Sequence, residues 1–278
     1  MSDEATGQAT PICLGDAFAD QITLHVGGEM ELLERACHAT VPTEILLAPV
    51  ELHQRNIQRR LREAQLPKEV FEFEDAASVS RTLLDQRGIS ARTLDRIDRL
   101  GMIEQLLDES ASDSPTVTLP VGVQAHDPQS LEQIRTEMET VSNFHPQRLT
   151  AWETTAGTLP NPIDLDTMEL LETALDIERG LRAQTDKIIS EIGLIRRATR
   201  QLTTTNGDVW TAAFDSIDRL SVMGLSSLSA PYADFINAVV MATSVDVHIH
   251  FRSATGEYLT ERVPALFETG SPGEVVFE

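Results

Sequence analysis

Short apolar runs alternate with amphipathic segments in the first third of the chain, and this alternation restricts the fold more than any other sequence feature. Three apolar runs are predicted strands, at 21–26, 43–49 and 68–73. Each is followed by a segment with helical periodicity, at 29–39, 50–65 and 76–88. Parallel strands need crossover connections of this kind. The pattern therefore predicts an α/β fold with a parallel sheet and helices on its faces.

The alternation stops in the middle of the chain and later returns. Segments with helical periodicity cover 89–109, most of 128–208 and, as one long helix, 166–202. Strands are then predicted at 218–225 and 245–251, with a helix over 229–244 between them. We therefore expect four parts: a flexible N-terminus (1–20), a first part of the α/β core (21–110), an all-α insertion (111–208), and a second part of the core with a tail (209–278).

The turn after the first predicted strand raises the question of phosphate binding. A P-loop binds phosphate with backbone N–H groups, a Lys and a Ser or Thr hydroxyl. Gly27 and Gly28 provide a glycine turn here, but Glu29 and Met30 follow it. A carboxylate at this place repels a polyphosphate. We therefore interpret Gly27, Gly28 and Glu29 as the positions of a degenerate nucleotide site.

The charge composition is strongly acidic and poor in lysine. The net charge is −22, and Lys68 and Lys187 are the only lysines among 22 basic residues. This composition is typical of adaptation to high salt, where excess carboxylates keep a protein hydrated and the Debye length is short. A surface that mimics nucleic acid is the alternative. An acidic total does not exclude a locally basic surface that binds DNA.

Other sequence features exclude several classes of protein. No apolar run approaches the ~20 residues that span a bilayer, and the acidic N-terminus lacks the basic and apolar regions of a signal peptide. We therefore expect a cytoplasmic protein with no membrane association. Cys13 and Cys37 have no spacing that indicates a zinc site or a disulfide framework, and we expect buried or inert thiols.

Three stretches, in order along most of the chain, carry a family resemblance. They are ITLHVGG with TEILLAPVELHQRNIQRRL, then EFEDAASVSRTLLDQRGISARTLDRIDRLGMIEQLL, and finally DRLSVMGLSSLSAPYADFINAVVMATSVDVHIHF. They resemble the helicase-like N-terminal region of AddB- and RecC-type subunits, the non-motor partners in helicase–nuclease complexes. That region is similar to the first motor domain of superfamily 1 (UvrD- and Rep-like) helicases. The resemblance implies a P-loop NTPase-like (RecA-like) core with an inserted helical subdomain.

The resemblance also has functional implications. It implies a companion UvrD-like helicase or nuclease subunit, DNA as a possible second partner, and a role in DNA repair and recombination. An active motor needs an Asp-Glu pair after the strand over 218–225, but Gly224-Leu225-Ser226-Ser227-Leu228 stands there. Because two separate elements of one ATPase site are missing, we expect a non-catalytic module with no catalytic residues and no cofactor.

Two groups of arginines are candidates for contacts with DNA phosphates. The first lies in the second predicted helix and consists of Arg55, Arg59, Arg60 and Arg62. The second lies near the end of the long helix and consists of Arg196, Arg197 and Arg200. Clusters of this kind can form local phosphate sites. The alternative is a solvated helix face whose arginines pair with neighbouring glutamates.

One short pattern suggests a different function. Asp246, His248 and His250 alternate along the last predicted strand and therefore share one face of it. His-x-His on a strand can bind zinc or another divalent metal. A metal-dependent hydrolase is therefore an alternative function, and a polar sheet face is the alternative interpretation of these residues. A structural adaptor with no role on DNA is a further alternative.

Overall fold

The structure is a computed structural model. It describes residues 21–27, 30–39, 41–48, 51–110, 117, 119, 127–156, 167–225, 227–252, 258–259, 262–267 and 269–277. Within these ranges, no helix is both long enough and apolar enough to cross a membrane.

Five strands form one parallel sheet. They are β1 (Ile22–Val26), β2 (Glu44–Leu47), β3 (Phe71–Glu74), β4 (Arg219–Leu225) and β5 (Asp246–Phe251). Their order across the sheet is β1-β5-β4-β2-β3, and every neighbouring pair is parallel. The predicted parallel α/β fold is thus confirmed. Because β5 and β4 lie between β1 and β2, strands from the two ends of the chain interleave in one sheet.

Helices connect the strands and cover the sheet. They are α1 (Met30–His38), α2 (Glu51–Glu63), α3 (Ala76–Asp85), α4 (Arg96–Ser110), α5 (Pro128–Ser142), α6 (Pro146–Ala156), α7 (Thr167–Gln184), α8 (Glu191–Thr204), α9 (Asp208–Ala213), α10 (Ala230–Ala242) and α11 (Val263–Phe267). A short 3₁₀ helix, Lys68–Val70, precedes β3.

Alternation of side chains along the strands gives the sheet two different faces. On one face, Leu46 and Met223 pack against α1 and α2 through Leu32 and Leu61. The other face is larger and more apolar, and helices α3, α8, α9 and α10 cover it. The side chains that carry charge or ring nitrogens within the sheet, described below, belong to the α1 face.

The helices between β3 and β4 form cores of their own and also return to the sheet. Helices α4, α5 and α7 share an apolar core that includes Ile103, Leu131 and Ile177. Helix α8 packs against α3 and α10, so it belongs to the layer that covers the sheet. The boundaries 111–208 of an all-α insertion therefore stay a prediction.

The single long helix predicted over 166–202 is wrong, because the chain turns between α7 and α8. Ile188 forms a parallel bridge with Thr93, which holds the segment between the two helices in extended conformation. Ser190 then caps α8, since its hydroxyl accepts a hydrogen bond from the Gly193 N–H at 2.9 Å. The same bridge explains why the helix predicted from residue 89 begins only at Arg96.

Candidate functional site

The carboxyl ends of β1 and β4 lie on either side of β5. Ligands of open parallel sheets bind at this edge, outside the carboxyl ends of the strands. Gly27 follows β1 with φ of 92° and donates its N–H to the Phe251 carbonyl at 3.2 Å. Gly28 and Glu29, the other two positions of the predicted degenerate nucleotide site, lie outside the described residues.

The end of β4 is closed by a side chain from α2. Gly224 has φ of 70°, and a Cβ there would collide with Nδ1 of the His53 ring. His53 Nε2 is in turn hydrogen-bonded to Arg252, which directly follows β5. An active motor has an acidic pair directly after this strand. Here the described residues that follow β4 are Ser227 and Leu228, neither of which is acidic, and Ser226 lies outside the described residues.

Neither lysine of the chain lies at this carboxyl edge. Lys68 begins the 3₁₀ helix that leads into the amino end of β3. Lys187 lies between α7 and α8, with its Nζ 3.7 Å from a carboxylate oxygen of Asp98. Neither lysine is in the turn directly after β1, where a P-loop has its lysine.

Three histidines from β1 and β5 converge on the sheet face that α1 covers. His25 is paired with His250 in the β1–β5 register, and their rings stack with centroids 4.2 Å apart. His25 Nε2 lies 2.8 Å from His248 Nδ1, a hydrogen-bond distance. One ring nitrogen of each histidine lies within 4.8 Å of the others. We call His25, His248 and His250 the histidine cluster.

Two of the three histidines are enclosed by protein, and His248 is half-buried. His25 is 5% exposed and His250 is 3% exposed. Within the described part of the chain, neither ring nitrogen of His250 has a hydrogen-bond partner. The Glu31 carboxylate on α1 lies 2.9 Å from His25 Nδ1, so it can accept a hydrogen bond from the N–H at that position.

A buried ion pair lies beside the cluster and ties α1 to the sheet. Arg35 donates to the Glu44 carboxylate from Nε at 2.9 Å and from Nη2 at 2.8 Å. The Ser221 hydroxyl donates to the same carboxylate. Because Glu44 is almost fully buried, this bidentate pair satisfies a charge that would otherwise be costly.

Burial and the Arg35 charge control protonation in the cluster. Burial, assisted by nearby positive charge, lowers the pKa of His248 to about 3 and that of His250 to about 2. Burial also lowers the pKa of His25, although Glu31 acts in the opposite direction. All three rings are therefore neutral at pH 7, the form in which an imidazole can bind a metal.

Asp246, the third member of the predicted metal set, lies apart from the enclosed cluster. It is exposed and is the first residue of β5, whereas His250 is close to the carboxyl end. The structure groups His248 and His250 with His25 of β1. The sequence could not identify His25, because the neighbour of β5 depends on the strand order.

Basic side chains of α7, α8 and the segment between them line a cleft of about 540 Å³. We call it the basic cleft; its basic residues are Arg182, Lys187, Arg196, Arg197 and Arg200, and Glu178 also lines it. Burial, together with the charges of Arg182, Arg196 and Arg197, lowers the pKa of Arg200. Like charges are thus concentrated here, in a chain whose net charge is −22.

The three predicted arginines of α8 have different environments. Arg196 is 3% exposed and donates to Glu139 Oε1 at 2.6 Å and to Asn143 Oδ1 at 2.8 Å. Arg197 is exposed. Arg200 is half-buried, and its Nη2 donates to the Gly273 carbonyl at 3.0 Å. Arg196 therefore has a structural role, while Arg197 and Arg200 are more open to a ligand.

The predicted arginines of α2 lie on an exposed helix face. They are Arg55, Arg59, Arg60 and Arg62. Arg55 forms an ion pair with Glu51 at 2.6 Å, and Arg59 forms one with Glu63 at 3.5 Å. Such i,i+4 pairs are typical of a solvated helix face. Phosphate binding by α2 stays a prediction.

A comparison with protein families places the chain. Residues 13–278 match the model of a family described as halobacterial UvrD-like protein. The chain belongs to this family. This membership agrees with the parallel α/β sheet and supports a relation to UvrD-like helicases, so the protein is helicase-like. Comparison with curated proteins gives no match.

Proposed function

We propose that this halobacterial UvrD-like protein is a helicase-like module that does not hydrolyse ATP. It would act as a non-motor component of a system for repair and recombination of DNA double-strand breaks. The main support for the proposal is the composition of the carboxyl edge of the sheet. The ends of β1 and β4 flank β5 there, as one nucleotide site would need, while both lysines of the chain lie elsewhere.

The physical reason is the charge that a nucleotide requires. Phosphoryl transfer depends on positioning and on positive charge around the phosphates, supplied by a P-loop Lys and by magnesium held by acidic and hydroxyl side chains. Arg252 is the described cation directly after β5, and it is engaged with His53. The RecA-like arrangement would thus be retained as a scaffold.

A non-motor module needs partners that supply movement and chemistry. The resemblance to AddB- and RecC-type subunits points to a companion UvrD-like helicase or nuclease subunit. The acidic, lysine-poor composition supports operation in a cytoplasm of high salt concentration. Helices α7 and α8, which line the basic cleft, would be the part that approaches DNA.

The basic cleft supports DNA as a partner. Arg182, Lys187, Arg197 and Arg200 gather positive charge at one place on an acidic chain. At the salt concentrations expected for such a protein, screening removes long-range attraction and leaves only close contacts with phosphate. A concave group of arginines is suited to such short-range contacts.

Calorimetry in multimolar KCl with magnesium tests the loss of the ATP site. We expect no heat of binding from ATP or from a non-hydrolysable analogue, because the edge has no lysine or acidic pair. An ATPase assay on the same sample should give no turnover above buffer. Stoichiometric binding accompanied by turnover would overturn the proposal.

A DNA-binding assay tests the basic cleft. The probe is a labelled duplex with a single-stranded tail, titrated at several KCl concentrations. In the double variant Arg197→Gln/Arg200→Gln, we expect weaker binding and a slope of log K against log salt that is smaller by about 2. The control is Arg96→Gln/Arg179→Gln, which removes the same charge from exposed positions that do not line the cleft and should bind like the wild type. Equal weakening in both variants, or no binding by the wild type, would contradict a DNA site in the cleft.

A further inference from the structure

The histidine cluster contains more hydrogen-bonding capacity than its surroundings satisfy. Three neutral imidazoles carry three N–H groups and three lone pairs. Glu31 can accept a hydrogen bond from one N–H of His25, and a second hydrogen bond joins His25 to His248. Both nitrogens of His250 are buried without a partner in the described residues. Buried polar groups without a partner destabilise a fold, so a cation that accepts lone pairs from the rings would stabilise the cluster.

We propose that His25, His248 and His250 bind one divalent transition-metal ion, with zinc as the best fit, on the sheet face under α1. The three ring nitrogens are the ligands, and Glu31 orients His25 from outside the coordination sphere. This metal site is independent of the proposed role in DNA repair.

The spacing of the nitrogens fits a small tetrahedral ion. A zinc ion with Zn–N bonds of about 2.0–2.1 Å separates its nitrogen ligands by about 3.4 Å. The distance between His25 Nε2 and His248 Nδ1 is 2.8 Å, and the whole set lies within 4.8 Å. Because the nitrogens already lie this close together, rotation of the rings about their side-chain bonds would bring them to the required separation. The ion then lies between His25 Nε2 and His248 Nδ1. The proton of His248 Nδ1 moves to Nε2 of the same ring, which stays neutral and presents its Nδ1 lone pair to the ion.

Glu31 gives the cluster a feature that metal-binding histidines share. Such a histidine donates its second N–H to a carboxylate, a carbonyl or water, which fixes the tautomer and makes the ligand nitrogen more basic. With Glu31 2.9 Å from His25 Nδ1, the lone pair of His25 is on Nε2, the nitrogen that faces His248. The tautomer required for binding is therefore already selected.

The chemistry of the donors also decides which ions can bind. Three imidazoles suit zinc, copper or nickel, whereas magnesium and calcium prefer oxygen ligands. Two members of the cluster are almost fully buried. We therefore infer a site that links the edge strand β1 to β5 and stabilises the fold.

The test starts from protein treated with EDTA and then dialysed in KCl buffer. Titration with ZnCl₂ by calorimetry should give about one ion per chain, and Co²⁺ should produce the visible absorption bands of a tetrahedral site. The melting temperature should rise with Zn²⁺ and remain unchanged with Mg²⁺. Absence of saturable binding by either Zn²⁺ or Co²⁺ would overturn the proposal.

Variants identify the ligands. His248→Gln, at a half-buried position, should fold and should lose at least 100-fold in zinc affinity. Glu31→Gln, which leaves the ligands intact, should lose about 10- to 100-fold. The control is His38→Gln, an exposed histidine at the end of α1, which should bind like the wild type. If His248→Gln binds zinc as tightly as His38→Gln, the assignment is wrong.

Discussion

Gly224 is the single residue on which the closed end of β4 depends most directly. Its φ of 70° lies in the region that L-residues rarely adopt, and His53 packs where a Cβ would be. We expect Gly224→Ala to lower the free energy of unfolding by about 2 kcal/mol, because it combines backbone strain with displacement of His53. Chemical denaturation at constant KCl concentration measures this loss.

Gly101 is the matched control for this substitution. It lies in α4, is exposed, and has no atom within 4 Å of the position of a Cβ. Gly101→Ala should therefore stabilise the protein by up to about 1 kcal/mol, since alanine is the better helix former. Equal destabilisation by both substitutions would show that the His53 contact is unimportant.

For individual residues, the sequence predicts which face of a strand a side chain lies on, but not which side chains it contacts. Strand alternation places His248 and His250 on one face, and this holds in β5. The partner His25 is contributed by a strand far away in the sequence. Similarly, Arg196 and Arg197 are adjacent in the sequence, yet only the tertiary structure determines that one is buried and the other exposed.

Among the helices, an ion network joins α5, α7 and α8 in the interior. Arg135 is 1% exposed and bonds to three carboxylates, those of Glu132, Glu139 and Glu178, at 2.7 to 3.1 Å. Each carboxylate also contacts a further arginine: Arg99 for Glu132, Arg196 for Glu139, and both Arg182 and Arg196 for Glu178. Complete pairing makes such buried charges tolerable. The three helices are thereby fixed to one another by charge as well as by apolar contacts.

The pKa values of the network determine its response to acid. Burial alone would raise the pKa of Glu139 and of Glu132, but the neighbouring arginines hold both pKa values below the ordinary value. Their stabilising contribution is therefore present above the pKa of the unfolded chain, about 4.3, and is lost as pH falls through the folded pKa. The wild-type protein should accordingly become less stable on acidification below about pH 5.

Substitution of Arg135 should weaken this response. We expect Arg135→Met to lose about 3 kcal/mol at pH 7, because three buried carboxylates lose the cation that they share. As pH falls, the carboxylates of the variant protonate more easily, so its stability should approach that of the wild type. Denaturation at pH 7, 6, 5 and 4 tests this convergence.

The control for the network is Arg179→Met, which removes an exposed arginine that pairs with Asp176 at 3.2 Å. It should cost less than about 1 kcal/mol, and its stability should stay parallel to that of the wild type at every pH. A constant difference between Arg135→Met and the wild type would contradict the pKa argument.

Strands and helices could be predicted from the sequence where they depend on a local pattern of residues. All five strands and helices α1, α2, α3 and α10 were predicted within a few residues, since apolar runs, caps and glycines are local signals. Helix α9, which precedes β4, was not predicted. The break between α7 and α8 was missed because it depends on the bridge between Thr93 and Ile188, which are distant in the sequence.

Positive charge is not spread evenly over the molecule, although the net charge is strongly negative. The chain carries a net charge of −22, yet several of its 22 basic residues meet in the basic cleft. Composition predicts the acidic surface, but the cleft depends on how α7 and α8 are joined. The sequence alone therefore predicts the net charge but not where the basic side chains meet.

The position of β1 in the sheet has a consequence for how the molecule is made. Among the described residues, its neighbour is β5, and the contacting residues His25 and His248 are 223 positions apart. During synthesis, β1 cannot pair with β5 until β5 has been made. Since contacts of such long range slow folding, completion of this sheet is expected to be a late step, after the helices between β3 and β4 have assembled.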